Sequence, residues 1–172
     1  MEPKKDKLIF LVDDDKMFLK TMELYIRQFF NNYTIRTFYT GEECLNSIHQ
    51  KPDIVLLDYM LNGNYPDAMD GIKVLIQIKK TNPEITVIMF SAQDHIDIAV
   101  DTMKHGAFDY IVKNDKMFLR VQNAIKNVIY NLVLKQDMKE YKRKMRLLGI
   151  LIAVIIGALV YVSIFCRSFL QV

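Results

Sequence analysis

Five short apolar runs punctuate residues 8–112, each followed by a segment in which apolar side chains recur at spacings of three and four. The runs are residues 8–12 (Leu-Ile-Phe-Leu-Val), 33–38, 53–57, 85–90 and 108–112. Near-continuous apolarity over about five residues reads as a strand covered on both faces, the signature of a parallel sheet. Residues 33–38 alternate, less cleanly, and so belong nearer a sheet edge. Between the runs, Phe18, Leu19, Met22, Tyr25, Ile26 and Phe29 mark a helix that Asp15 caps, and Gly41 to Gln50 forms a short helix with Cys44, Leu45 and Ile48 inward. Gly71 to Lys80 forms a third, buried through Ile72, Leu75, Ile76 and Ile78. Ile96, Ile98, Ala99 and Met103 belong to a fourth, which Gly106 stops. A fifth starts near Asp115, with Phe118, Val121, Ile125, Val128 and Leu132 on one side. Five strands alternating with five helices predict an α/β fold with a doubly wound parallel sheet.

The fifth helix has no stop signal, since neither Pro nor Gly occurs between Asp115 and Gly149. A second apolar stripe follows at Leu134, Met138, Tyr141, Met145 and Leu148, out of register with the first. It suits a short parallel coiled coil with a second copy; a solvated connector is the alternative. Leu147 to Phe165 then runs 19 residues without a charge, about 28 Å as a helix against a hydrocarbon core of roughly 30 Å. The expectation is an extended last helix running into a transmembrane helix. Gly149, Ala153 and Gly157 would form a small-residue ridge for pairing within it.

Charge sharpens that division. Residues 1–134 carry 16 Lys/Arg against 18 Asp/Glu, and residues 135–172 carry 7 against 2. The basicity therefore belongs to the tail, and the whole-chain pI of about 8.7 is no argument for nucleic-acid binding. Lys135, Lys139, Lys142, Arg143, Lys144 and Arg146 precede the apolar run and only Arg167 follows it. The positive-inside rule would place the preceding domain in the cytoplasm, the C-terminus outside and the basic flank on anionic lipid. Four stretches are expected: a domain over 6–130, a basic juxtamembrane extension over 131–146, a cell-membrane span over 147–165 and a short non-cytoplasmic tail over 166–172. No apolar segment near Met1 suggests a secretory signal. Cys44 and Cys166 make no disulfide framework; Cys44 reads as a small core residue.

Chemistry gathers where the apolar runs stop. Asp13-Asp14-Asp15 follows the first, Asp58 the third, Ser91 the fourth and Lys113 the fifth. In a parallel sheet these ends share one edge, where open α/β folds bind ligands. Converging carboxylates repel unless a cation sits among them, and hard oxygen ligands suit Mg²⁺. A carboxylate can also attack a phosphoryl group to give an acyl phosphate. Asp58 is the candidate nucleophile, with Asp13 and Asp14 on the metal. Lys113 would neutralise phosphoryl oxygens and Ser91 would donate a hydrogen bond to one. His49, His95 and His105 share no ligand spacing and read as surface or helix-end residues.

Taken together, Leu11-Val12-Asp13-Asp14-Asp15, Leu56-Leu57-Asp58-Tyr59-Met60, Asp70-Gly71, Ser91-Ala92, Gly106-Ala107-Phe108-Asp109-Tyr110 and Ile111-Val112-Lys113 resemble the receiver domain of two-component response regulators. The resemblance covers roughly residues 6 to 130. It implies a flavodoxin-like strand order 2-1-3-4-5 and phosphotransfer from a sensor histidine kinase or histidine phosphotransfer protein to Asp58, followed by slow autodephosphorylation. It also implies Mg²⁺, with Mn²⁺ as substitute, on Asp14, Asp58 and the Met60 carbonyl, Asp13 acting partly through water. Ser91 and Tyr110 would be the switch pair, Tyr110 turning inward on activation and altering the surface of the fourth helix, fifth strand and fifth helix. The expectation is a membrane-anchored signalling protein with a membrane-proximal effector and no nucleic-acid partner. A phosphate sink or shuttle and a phosphorylation-independent scaffold are the alternatives. A dehalogenase-type hydrolase would place a second acid two positions after its nucleophile, where this chain has Met60.

Three features depart from the family pattern. The connection from Asp58 to Asp70 is about five residues longer than usual through Asn62-Gly63-Asn64-Tyr65-Pro66, beside the site. Asn114 stands after Lys113 where a proline is usual, so the family's cis peptide is either lost or held at about 2.5–4 kcal/mol. Beyond the domain comes the apolar tail rather than an output domain.

Overall fold

The computed structural model describes residues 7–61 and 69–169, those from 159 onward by their helical backbone alone. Strands β1 (Lys7–Val12), β2 (Tyr33–Phe38), β3 (Ile54–Asp58), β4 (Thr86–Ser91) and β5 (Asp109–Val112) alternate with helices α1 (Lys16–Phe29), α2 (Gly41–Ser47), α3 (Gly71–Thr81), α4 (Ile96–Lys104) and α5 (Met117–Phe169). A single 3-10 turn, Ile48–Gln50, extends α2. All five strands are parallel and lie in the order β2-β1-β3-β4-β5, the flavodoxin-like order expected.

Burial explains the order. Every residue of β3 is buried, as are the last five of β1 and of β4; these are the runs of continuous apolarity, and they occupy the middle of the sheet. The alternating residues make β2, an edge strand with Thr34 and Arg36 exposed. Because strand side chains alternate, Leu8, Phe10, Val12, Val55, Leu57, Val87 and Met89 fall on one face. They form a single apolar cluster with Cys44, Val74, Leu75 and Ile78. On the other face Phe90 meets Phe18 of α1 edge-on, and Tyr25 of α1 packs against Phe118 of α5.

The helix ends follow local rules. Asp15 accepts from the amides of Met17 and Phe18, Thr40 from Glu43 and Asp70 from Lys73, each meeting an orphan donor of a first turn. After α4, Gly106 adopts φ +92° while the Ala107 amide reaches back to the Thr102 carbonyl, the left-handed reversal for which glycine is suited. Cys44 is buried, and burial pushes its thiol up to about 12. The three histidines are exposed. The Lys113–Asn114 peptide is trans.

Several expectations need correction. In α3 the inward residues are Val74, Leu75 and Ile78, while Ile76 is exposed: the face that rests on the sheet runs through Gly71, Val74, Leu75 and Ile78, and Ile76 lies off it. In α1 Phe29 is exposed and the neighbouring Phe30 is buried, because the helix ends between them. Helix α4 contains Ile96, Ile98, Ala99 and Met103 as expected; of its residues Thr102 is buried, while Ile96 and Met103 are exposed.

The chain divides into two units, residues 1–128 and 129–172. In the second, α5 continues to Phe169, and every described side chain from Val133 to Ala158 is exposed. Among the described residues no helix is long and apolar enough to cross a membrane. The expected transmembrane helix over 147–165 is therefore corrected. With it go the membrane anchor, the single-pass placement with the C-terminus outside, and the ground for a lipid contact or for pairing through Gly149, Ala153 and Gly157. The side chains of 159–165, the end of the tail from 170 and the insertion at 62–66 lie outside the described residues.

Candidate functional site: a carboxylate cluster at the strand ends

Register brings the chemistry together. β3 and β4 pair Asp58 with Phe90, and β4 and β5 pair Ser91 with Val112, so the carboxyl ends of β1, β3, β4 and β5 open on one edge. Asp13 and Asp14 follow β1, Asp58 closes β3, Ser91 closes β4 and Lys113 follows β5. Asp13, Asp58 and Ser91 are buried, Asp14 partly so.

Ligand atoms of Asp13, Asp14 and Asp58 lie within 4.8 Å of one another. The Lys113 ammonium bridges two of them, 2.6 Å from Asp13 Oδ2 and 2.8 Å from Asp58 Oδ1. The other oxygens are oriented by backbone donors: Asp15 N donates to Asp13 Oδ1 at 2.9 Å and Met60 N to Asp58 Oδ2 at 3.2 Å. Burial, then the Asp58 charge, raises the Asp13 carboxyl to about 6 against the opposing pull of Lys113. Burial likewise raises Asp58, again opposed by Lys113. Burial works against the Lys113 charge, but Asp58 and Asp13 outweigh it and push its titration up. With three carboxylates ionised against one ammonium the cluster carries −2, which a divalent cation on hard oxygen ligands would balance. The donor set thus fits Mg²⁺ or Mn²⁺.

Ser91 Oγ accepts from the Gln93 amide at 3.0 Å, and Lys113 N donates to the Ser91 carbonyl at 2.7 Å. Tyr110 lies inward, its hydroxyl donating to the Gln93 carbonyl at 2.7 Å and its own carbonyl accepting from Arg120 Nη2 at 3.0 Å. The side chain of Met60 is exposed and accepts from Gln93 Nε2 at 3.5 Å.

Three participants escape a reading of the sequence. Phe18 sets its ring 4.4 Å from the Lys113 ammonium, within range of a cation–π contact; as one of eight apolar residues in α1, it carried no distinguishing signal. Gln93 ties Ser91, Tyr110 and Met60 together, yet it sits in an undistinguished polar turn. Gly71 lies so close beneath Asp58 that a Cβ there would be 2.1 Å from the Asp58 carbonyl oxygen. Its amide donates to Tyr59 O at 3.0 Å. The Asp70-Gly71 pair was visible as a motif, but its steric reason was not.

Residues 9–122 match the response regulator receiver domain family, about two thirds of the chain, and the chain belongs to that family. It is 34% identical over 122 residues to the DNA-binding transcriptional regulator NtrC of Escherichia coli K12, a match covering 69% of this chain and 24% of NtrC. It is 38% identical over 91 residues to the luminescence regulatory protein LuxO of Vibrio campbellii, covering 51% of this chain and 19% of LuxO. Among solved structures, the signal receiver domain of a DNA-binding response regulator from Colwellia psychrerythraea superposes with a TM-score of 0.64 at 27% identity. That match covers 73% of this chain and 99% of the other. The matched stretch is thus about a quarter or less of these curated relatives.

Proposed function

We propose that this protein is a phosphoacceptor of two-component signalling, taking a phosphoryl group on Asp58 from the phosphohistidine of a sensor kinase or histidine phosphotransfer protein. The observation that carries the reading is the Lys113 ammonium held between Asp13 and Asp58 within a three-carboxylate cluster. An Asp58 oxygen attacks phosphorus in line, the P–N bond to the donor imidazole breaks, and its electron pair returns to that ring. Lys113 offsets charge on the transferred group and the Ser91 hydroxyl donates to one of its oxygens. Positioning and neutralisation of this kind supply most of what phosphoryl transfer needs. Asp13, Asp14, Asp58 and the Met60 carbonyl would hold a divalent cation, which when bound supplies further positive charge opposite the phosphoryl oxygens. Water later cleaves the acyl phosphate and frees Asp58. Gln93 links Ser91 to Tyr110, so a move of Ser91 toward the phosphoryl group would be felt at Tyr110 and at the surface formed by α4, β5 and the first turns of α5, which an effector protein reads.

The test is intact mass after incubation of the full chain with a small-molecule phosphodonor and Mg²⁺, with Asp58→Asn alongside. The expected result is a gain of one base-labile phosphoryl group, absent in D58N and without the cation. A folded protein that binds Mg²⁺ and gains nothing would overturn the reading.

A further inference from the structure

Beyond residue 132, helix α5 carries an apolar stripe whose described side chains are exposed. From Val133 to Ala158 every side chain is exposed, so this stretch lacks the tertiary packing from which helices in proteins draw most of their stability. The stripe is ordered. Leu134, Met138, Tyr141, Met145, Leu148, Ile152 and Ile155 follow one another at steps of four, three, four, three, four and three, each 43% to 59% exposed. That is an unbroken repeat of 3.5 residues, the period at which a straight helix must wind around a partner to keep one face covered. Lys139, Glu140, Arg143 and Arg146 occupy the opposite side over the first half.

We propose that residues 134–155 pair with the same residues of a second copy as a parallel two-stranded coiled coil. Leu134, Tyr141, Leu148 and Ile155 take one core position, and Met138, Met145 and Ile152 the other. One flanking pair of opposite charge favours a second copy in the parallel direction. In this register Asp137 precedes a core residue and Lys142 follows the next one, five residues on. Parallel strands set those two positions against each other across the seam, so two copies form two Asp137–Lys142 pairs related by the twofold axis. Antiparallel strands over the same residues would set Asp137 opposite residues near Ile152 and Lys142 opposite residues near Leu147, where neither meets an opposite charge. The stripe is about 33 Å long at ~1.5 Å per residue. From Leu147 onward outer positions are apolar as well (Leu147, Ile150, Leu151 and Val154), so other apolar occupants belong among the outcomes of the test. The pairing involves no residue of the carboxylate cluster and stands or falls independently of the phosphoacceptor reading.

Single cysteines in the full chain test it, with Cys166→Ser removing the second native thiol and Cys44 buried. Tyr141→Cys and Met145→Cys should form disulfide-linked dimers on mild oxidation at least about tenfold faster than Arg143→Cys on the opposite side. Equal rates, or preferential cross-linking of Leu134→Cys with Ile155→Cys in a mixed sample, would overturn the parallel seam. Sedimentation of charge variants supplies the second arm, since these exposed changes leave the folded domain intact. Asp137→Lys and Lys142→Asp should each weaken the dimer about fivefold, and the double exchange should restore it. A monomer at every concentration, a dimer indifferent to both charges, or association seen only when phosphatidylcholine vesicles are added would overturn the proposal.

Discussion

Asp13 is buried, faces Asp58 and shares a single ammonium with it, and its carboxyl is raised to about 6 as a consequence. The sign of the resulting pH dependence follows. A carboxyl raised above its unfolded value of 3.8 holds its proton longer in the folded state. Its contribution to stability is therefore fully present below that value and lost as pH rises through about 6. A divalent cation needs the ionised form and must displace that proton at lower pH. The thermal shift produced by Mg²⁺ should then be large at pH 7.5 and small at pH 5, as differential scanning fluorimetry would read. A shift of equal size at both would show that Asp13 takes no part in holding the cation. At this scale the sequence was informative about acids and quiet about their neighbours. A carboxylate at the end of an apolar run signals a strand-end site because so few charges are tolerated there. Phe18 and Gln93 gave no such signal: an aromatic in an amphipathic helix and an amide in a turn are common everywhere, and only position makes these two part of the site.

Elements place those residues, and one glycine shows how narrow the placement is. Helix α3 begins directly against the backbone of Asp58, and a Cβ at Gly71 would fall 2.1 Å from the Asp58 carbonyl oxygen and 2.8 Å from Tyr59 Cα. These are backbone atoms, so relief requires moving either the helix or Asp58. Gly71→Ala is expected to slow phosphorylation of Asp58 at least tenfold as followed by intact mass. Gly41→Ala is the contrast: its Cβ would meet the Val74 Cγ2 side-chain methyl at 2.2 Å, an overpacking of the kind that costs about 1–3 kcal/mol, visible as a lower Tm with phosphorylation retained. Equal loss of phosphorylation in both would indicate general destabilisation. The existence and type of all ten elements were legible from periodicity. Helical phase was less so, as Ile76 and Phe29 show, because a half-apolar helix admits several inward faces and the sheet it rests on selects one.

For the whole molecule, the order β2-β1-β3-β4-β5 puts the most continuously apolar strands in the middle and leaves β2 and β5 as edges. Amides of Ile9–Leu11, Val55–Leu57 and Val87–Met89 are accordingly expected to exchange only through global unfolding. Those of residues 134–155 should exchange faster than the central strands in a monomer and slow down as protein concentration rises. Hydrogen exchange followed by mass spectrometry at two concentrations reads both; an edge strand that outlasts β3 would contradict the first. The apolar tail marks where linear reading overreached. Nineteen uncharged residues satisfy a length criterion for a membrane span, but among the described residues no helix is long and apolar enough to cross, and hydropathy alone does not distinguish a partner helix from hydrocarbon. The sequence by itself determined the alternation of strands and helices, the family, and the acids, serine and lysine at the strand ends, since these depend on local periodicity and on the rarity of charge beside buried runs. Only the tertiary structure decided which faces of the helices point inward, that Lys113 rests between Asp13 and Asp58 under the ring of Phe18, and that Gly71 has no room for a side chain. Those outcomes depend on distances between residues far apart in the chain, which packing sets and composition does not encode.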